Sequence, residues 1–338
     1  MKNVNESEQI NTSKRKSKEQ LRKEKRLNRS LIYVSKSVQN ETGLMAIQME
    51  DGVFFLGNGK YMKIYSIKAP SLAEKKAAFV KAMLELTNNR IRISTFYKKR
   101  NEKASAYSFV SIYYEAFNYA EASVVIRDFE KDMEDKVCRP LNILISNCSV
   151  ETSLTFLHMN CAGEMKQYSH EILTSKKSDW KTEVFPAVSD ACVGNFIYQD
   201  KCGICFSGKL FGDKQVSIND ALMKLSGNIQ IVVDFQKMTE TEQGMFEYEM
   251  GRKYNCSLEN YKKDVINATY LVSAFSENQE QQKMLRLQIM ELFDKNRVLL
   301  MPCAGNESKV FSSICSLGIV DYHSMRNVNR DVISSLLW

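Results

Sequence analysis

The chain has 338 residues, 44% of them hydrophobic and 26% charged, the make-up of a globular protein long enough for two cores. No run approaches the roughly 18 apolar residues of a transmembrane helix, and the opening MKNVNESEQIN lacks a secretory apolar stretch, so a cytoplasmic protein is expected. The net charge is +7, and all of it sits in residues 13–29, where nine Lys or Arg stand against Glu19 and Glu24. The body of the chain is neutral, so its composition gives it no claim to be a nucleic-acid protein.

The basic residues are Lys14, Arg15, Lys16, Lys18, Arg22, Lys23, Lys25, Arg26 and Arg29. Such a density binds anionic lipid at the cytoplasmic leaflet or the phosphates of nucleic acid. It is equally the composition of a solvated tail. If the arm is helical, Leu21, Leu27 and Leu31 give it one weak apolar stripe. Residues 1–44 are read as this arm with its lead-in, followed by a short strand over 45–49.

Residues 51–66, DGVFFLGNGKYMKIYS, place two apolar runs around Asn58-Gly59. That pair accepts the positive φ of a type I′ turn, which predicts a β-hairpin. Ser71 and Glu74 form a capping box that opens a helix over Phe79, Met83 and Leu86. Alternation of Ile91, Ile93 and Thr95 predicts a strand over 90–96. From 107 to 135 a helix is expected, with Phe109, Tyr113 and Phe117 at i, i+4, i+8. The stripe is read as core, with base stacking the alternative. Pro140 marks the start of a strand over 141–145, and Ser149 opens a helix running to Tyr168.

The order then repeats. A hairpin is predicted over 195–206, a short helix over 218–225 and a strand over 229–235, more continuously apolar than its counterpart and hence central. Thr239 and Glu242 form a second capping box. Helix is expected to Phe293 with a break near Tyr254, where residues 276–283 are either an exposed helical face or the tip of a helical hairpin. A strand over 297–301 and a helix over 309–317 complete the series. The reading is an α+β fold of two related modules, 45–180 and 185–320, with 321–338 a connector. Each module runs hairpin, helix, strand, helix, strand, helix around a mixed or antiparallel sheet.

Nine cysteines at irregular spacing, most of them in apolar segments, read as small buried hydrophobes. Cys202-Gly-Ile-Cys205 falls in a predicted strand, which turns the two thiols to opposite faces. His158, His170 and His323 are scattered, so neither a metal set nor a nucleophile–base pair can be assembled. GxxxxGK followed by Ser or Thr, GxGxxG, HExxH and GxSxG are all missing from the sequence, and Glu247 and Glu249 point to different faces of a helix. Neither a catalytic residue, a cofactor nor a metal is expected.

Three stretches carry a resemblance. They are Glu50-Asp-Gly-Val-Phe-Phe through Lys63-Ile-Tyr-Ser-Ile67; Phe185-Pro and Phe196-Ile-Tyr through Asp213, Ile218-Asn-Asp-Ala-Leu222 and Gln230-Ile-Val-Val-Asp-Phe235; and Phe311 to Gly318 with Arg326-Asn-Val and Ile333-Ser-Ser-Leu-Leu337. In order and spacing, residues 45–338 resemble the N-terminal part of the CagE/TrbE/VirB family of type IV secretion (conjugative transfer) ATPases, in its Gram-positive branch. The family usually shows proline-leucine-glycine where Ser316-Leu317-Gly318 stands, and continues into a P-loop motor domain where this chain stops at Trp338. The resemblance therefore implies a non-catalytic assembly domain at the inner face of the cell membrane. Its implied partners are inner-membrane channel subunits, a motor ATPase domain or subunit, and an anionic membrane surface. The alternative function is a single-stranded DNA-binding accessory protein of conjugative transfer.

Overall fold

The computed structural model of the chain describes residues 18–34, 36, 39–40, 43–68, 73–100, 103–169, 171–174, 183–185, 188–192, 195–198, 201–212, 218–254, 264–303, 310, 313–315 and 324–337. The fold is α+β. Its centre is one fully antiparallel sheet whose main path runs β1 (Leu31–Tyr33), β2 (Ala46–Gln48), β3 (Val53–Gly57), β4 (Lys60–Ile67), β6 (Lys103–Glu115), β5 (Ile91–Arg100), β11 (Asn228–Gln236), β12 (Val265–Ser276), β10 (Lys201–Phe211), β9 (Asn195–Tyr198), β8 (Val188–Cys192). Off this path, β7 (Ile145–Asn147) pairs with β4, β13 (Val298–Pro302) with β10, and β14 (Arg326–Asn329) with β12.

The path reads the same outward from its middle. On one side β5, β6, β4 and β3 follow one another; on the other come β11, β12, β10 and β9. The helix α2 (Ala73–Leu86) joins β4 to β5, and α3 (Tyr119–Met133) joins β6 to β7. In the second unit the short α6 (Asn219–Leu222) and α8 (Gln279–Lys295) hold the corresponding places. Each unit is thus a β-α-β-β-α-β arrangement, with sheet orders β7-β4-β6-β5 and β13-β10-β12-β11. This is the split βαβ, or ferredoxin-like, topology, and it hosts many unrelated functions. Two copies share one sheet through the β5–β11 pairing, from Ile91↔Phe235 to Lys98↔Asn228.

Both faces of the central strands are covered. One core layer joins Ile91, Ile93, Val110, Ile229, Ile231 and Val272 to the apolar faces of α2, α3 and α8. The opposite layer packs Phe96, Phe109, Val232 and Leu271 under α4 (Val150–Ala162) and the segment containing Ile314. Burial on both sides runs along nearly the whole of β11 and β12, and their polar side chains, Gln230, Asp234, Asn267, Thr269 and Ser273, are buried with the apolar ones. The same burial corrects two sequence expectations. Residues 107–115 and 265–276 are strands rather than helix, and Phe109, Ser111 and Tyr113 share a strand face that mimics helical i, i+4 spacing. The aromatic stripe is therefore not a helix face; Phe117 lies beyond the strand and is 92% exposed.

Local signals fared better. Asn58 and Gly59 have φ of 49° and 70°, as a type I′ turn requires. Ser149 accepts from the Thr152 N–H at 3.2 Å, and Thr239 and Glu242 exchange capping bonds of 2.7 and 3.2 Å at the start of α7 (Glu240–Tyr254). α4 stops at Gly163, which takes φ of 62°, five residues before the expected end, and the short α5 (Glu171–Thr174) follows. Pro140 sits in a final helical turn, Arg139–Leu141, that ends at the left-handed Asn142, so β7 starts later than expected. Residues 326–337, expected as a connector, form β14 and α9 (Arg330–Leu336), with Ile333, Leu336 and Leu337 buried in the first core layer. The capping box read at Ser71, and most of the expected boundary over 174–186, lie outside the described residues.

A Cβ at Gly59 would lie 2.7 Å from the Ala116 carbonyl oxygen, in a backbone conformation that L-residues disfavour. Gly59→Ala is therefore expected to lower the unfolding free energy by about 1–3 kcal/mol, read as a shift in urea midpoint at unchanged slope.

Candidate functional site

The sequence-predicted site is the basic arm. Lys14, Arg15 and Lys16 lie outside the described residues; Lys18, Arg22, Lys23, Lys25, Arg26 and Arg29 are exposed on or just after α1 (Lys18–Asn28). The helix docks beside the first unit. Leu27 and Leu31 pack on the first core layer, and Asn118 Nδ2 donates to Glu24 Oε1 at 2.9 Å. Glu24 and Leu27 lie on one face of α1, so the cations at 18, 22 and 25 run along the other side, with exposed Arg29 just past the helix end. Asn118 is itself the N-cap of α3, accepting from the Glu121 N–H at 3.0 Å. One asparagine thus fixes α3 and ties the basic helix to it. Leu21 does not join the packing; it is 45% exposed.

A buried charge cluster that sequence reading missed lies at the joint of the two units. Arg92 of β5 and Asp234 of β11 are register partners, and Nε and Nη2 of Arg92 each donate to Asp234 at 2.8 Å. Both side chains are 2% exposed. Arg92 Nη1 also donates to the Ile314 carbonyl at 3.3 Å, and Thr269 Oγ1 donates to Asp234 at 3.1 Å. Arg90 stands behind, its Nε 3.7 Å from Asp234 Oδ1. Burial opposes ionisation of Asp234, but the Arg92 and Arg90 guanidiniums outweigh it and hold the carboxyl below its usual range. Spacing could not have revealed this pair, since its members are 142 residues apart and meet only through the β5–β11 register.

Other polar groups inside the fold are likewise held by neighbours. Lys63 Nζ donates to Glu130 Oε1 at 2.7 Å, and the Tyr65 and Tyr114 hydroxyls lie 2.9 Å apart. Cys202 and Cys205 are free and buried. Neighbouring positions Ile204 and Cys205 belong to opposite core layers, as strand alternation requires. Burial pushes the Cys148 thiol up to about 12, which disfavours a thiolate nucleophile there. Phe109 and Tyr113 are each 8% exposed, so of the three residues of the stripe only Phe117 faces solvent. Among the described residues no His, Cys, Asp and Glu group could hold a metal ion, and no helix is long and apolar enough to cross a membrane.

Compared with known proteins, the chain matches no family model and no curated protein.

Replacing Asp234 by Ala would strand two guanidiniums in the core. Its expected cost is roughly 3–5 kcal/mol, larger than that of Arg92→Met, which leaves Arg90 to face the carboxylate. Urea denaturation of the two variants compares them directly.

His158 is 4% exposed and packs edge-on to the Tyr168 ring, with centroids 5.5 Å apart. Burial lowers its pKa from 6.5, so the unfolded chain binds this proton more readily than the folded one. Its contribution is complete above 6.5 and declines as pH falls below that value. Urea midpoints between pH 8 and pH 5 should decline accordingly, and His158→Phe should flatten that part of the curve.

Proposed function

We propose that this chain is a non-catalytic docking domain of a conjugative type IV secretion motor. It sets a motor ATPase against inner-membrane channel subunits and rests its basic helix on the anionic inner face of the membrane. The observation that carries the docking role is the fixed orientation of α1. Leu27, Leu31 and the Glu24–Asn118 bond hold the helix on the body, so its cations lie together on one exposed side. A basic segment held in this way loses little conformational freedom when it meets a negatively charged surface. The secretion-motor assignment rests on the sequence resemblance over residues 45–338. The continuous two-layered core supports a role as a rigid platform, because packed interiors transmit load rather than deform.

Vesicle flotation tests this reading. Lys18, Arg22, Lys25 and Arg29 can be replaced together by Gln without touching Glu24, Leu27 or Leu31. At about 1 kcal/mol per basic residue, binding to vesicles containing phosphatidylserine should fall by roughly 10² to 10³, with neutral vesicles bound weakly throughout. Equal flotation of the variant and the parent chain, or preferential binding of single-stranded DNA over such vesicles, would overturn the membrane role.

A further inference from the structure

The strand positions of the two units can be aligned through their pairing registers, because each first hairpin closes at a defined place: Gly57↔Lys60 in one, Tyr198↔Lys201 in the other. Followed across the ladder from Lys60 and Lys201, Tyr113 corresponds to Phe275. Arg90, whose carbonyl accepts from the Tyr113 N–H at 3.4 Å, corresponds to Asn228, which pairs with Phe275. Each of these pairs lines a cleft at one end of the β5–β11 joint. The first cleft holds Lys60, Asn88, Arg90, Tyr113 and Glu115; the second holds their counterparts Lys201, Ser226, Asn228, Phe275 and Glu277.

The two clefts have diverged in chemistry. In the second, Lys201 is ion-paired to Glu164, and Phe275 offers only its ring. In the first, Arg90 Nη1 and the Tyr113 hydroxyl are buried and have no hydrogen-bond partner among the described residues. The Arg90 side chain is 10% exposed and its guanidinium carbon lies 4.0 Å from the centre of the Tyr113 ring. Asp234 does not satisfy this arginine, since Arg90 Nε lies 3.7 Å from its Oδ1, beyond hydrogen-bond distance, while Arg92 donates to both carboxylate oxygens. Lys60 adds a cation at the first cleft, and Lys237 reaches it through a 3.2 Å bond to Asn88 Oδ1; the opposing carboxylates are Glu115 and Asp234. The cleft encloses about 230 Å³, several times the roughly 30 Å³ share of one water.

Buried donors left unmade are costly. The same fold accepts Asn and Phe at the equivalent positions, so its architecture does not require Arg and Tyr there. We infer that the first cleft binds a small phosphate-type oxyanion, with Arg90 Nη1 and the Tyr113 hydroxyl as donors and Lys60 as a flanking charge. An oxyanion accepts from both and offsets the surplus positive charge. This inference does not rest on the membrane role of α1.

Titration calorimetry of the full chain with inorganic phosphate, at constant ionic strength, tests it. One saturable site is expected. Tyr113→Phe keeps the ring and removes an atom that has no hydrogen-bond partner among the described residues, so it should fold and weaken binding roughly tenfold. Arg90→Asn copies the second cleft and should weaken binding at least as much, and the double variant should not bind. Lys201→Gln in the second cleft, and the four-Gln variant of α1, should bind as the parent chain does. Repeating the titration with glycerol 3-phosphate distinguishes a phosphate ester from the free ion, and binding of either probe at Arg90 and Tyr113 supports the site. Absence of saturable phosphate binding, undiminished binding by a folded Tyr113→Phe/Arg90→Asn variant, or loss of binding in the α1 variant would overturn it.

Discussion

The pairing of β5 with β11 is the constraint on which the remaining structure depends. Two ferredoxin-like sheets meet edge to edge there, and each edge would otherwise expose a row of unpaired backbone donors and acceptors. Backbone ladders tolerate slippage, whereas a buried ion pair does not. Arg92 and Asp234 face each other across the joint with both oxygens engaged, so a one-residue slip would turn the two groups to opposite faces of the sheet. The pair is thus better regarded as a device for register than as a source of net stability, since burial offsets much of what its attraction gains. Segments from both units then close over this point. α4, which follows β7, supplies Asn160 beside Gln230 of the second unit, while the carbonyl of Ile314, which follows β13, accepts from Arg92 of the first.

What could be read from the sequence follows from how local each signal is. Asn58-Gly59, Ser149 and the Thr239–Glu242 box act over a few residues, and each appears as read. The duplication was also legible, because the order of elements recurs even where their types were mistaken. The strands β6 and β12 were mistaken for helix for one physical reason. A strand covered on both faces has no polar side, and its aromatic residues then satisfy a helical period as readily as a strand period. The positions of the basic residues were plain from composition, but their orientation was not. It depends on Leu27 and Leu31 meeting a core layer and on Glu24 meeting Asn118, 94 residues away.

The two units share a topology but have been used differently. The connection between β4 and β5 holds the 14-residue α2, where β10 and β11 are joined through a four-residue helix. α9 packs with α2, and Lys76 of that helix donates to the Leu337 carbonyl at 3.0 Å. Between β11 and β12 the second unit carries α7, with Met245 and Tyr248 63% and 70% exposed, where β5 and β6 are joined by residues 101–102. These differences lie in connections and cleft walls, where change least disturbs a packed sheet.

This partition explains why sequence reading does not bring Arg90 and Tyr113 together and why internal comparison does. Arg90 belongs to no motif, and the sequence presents Tyr113 as part of an aromatic core stripe in an expected helix. Once each first turn anchors the register, Asn228 and Phe275 show what the fold needs at these positions, and Arg90 and Tyr113 show what has been added. The addition is coupled to the joint. Asp234 carries one negative charge between two guanidiniums, so the arginine nearer the cleft keeps an incompletely matched charge while the one deeper in the joint is fully engaged. A carboxylate shared in this way fixes the register of the sheet with one arginine and leaves the other with donor capacity directed at one end of the joint, a division that a one-to-one pair could not provide.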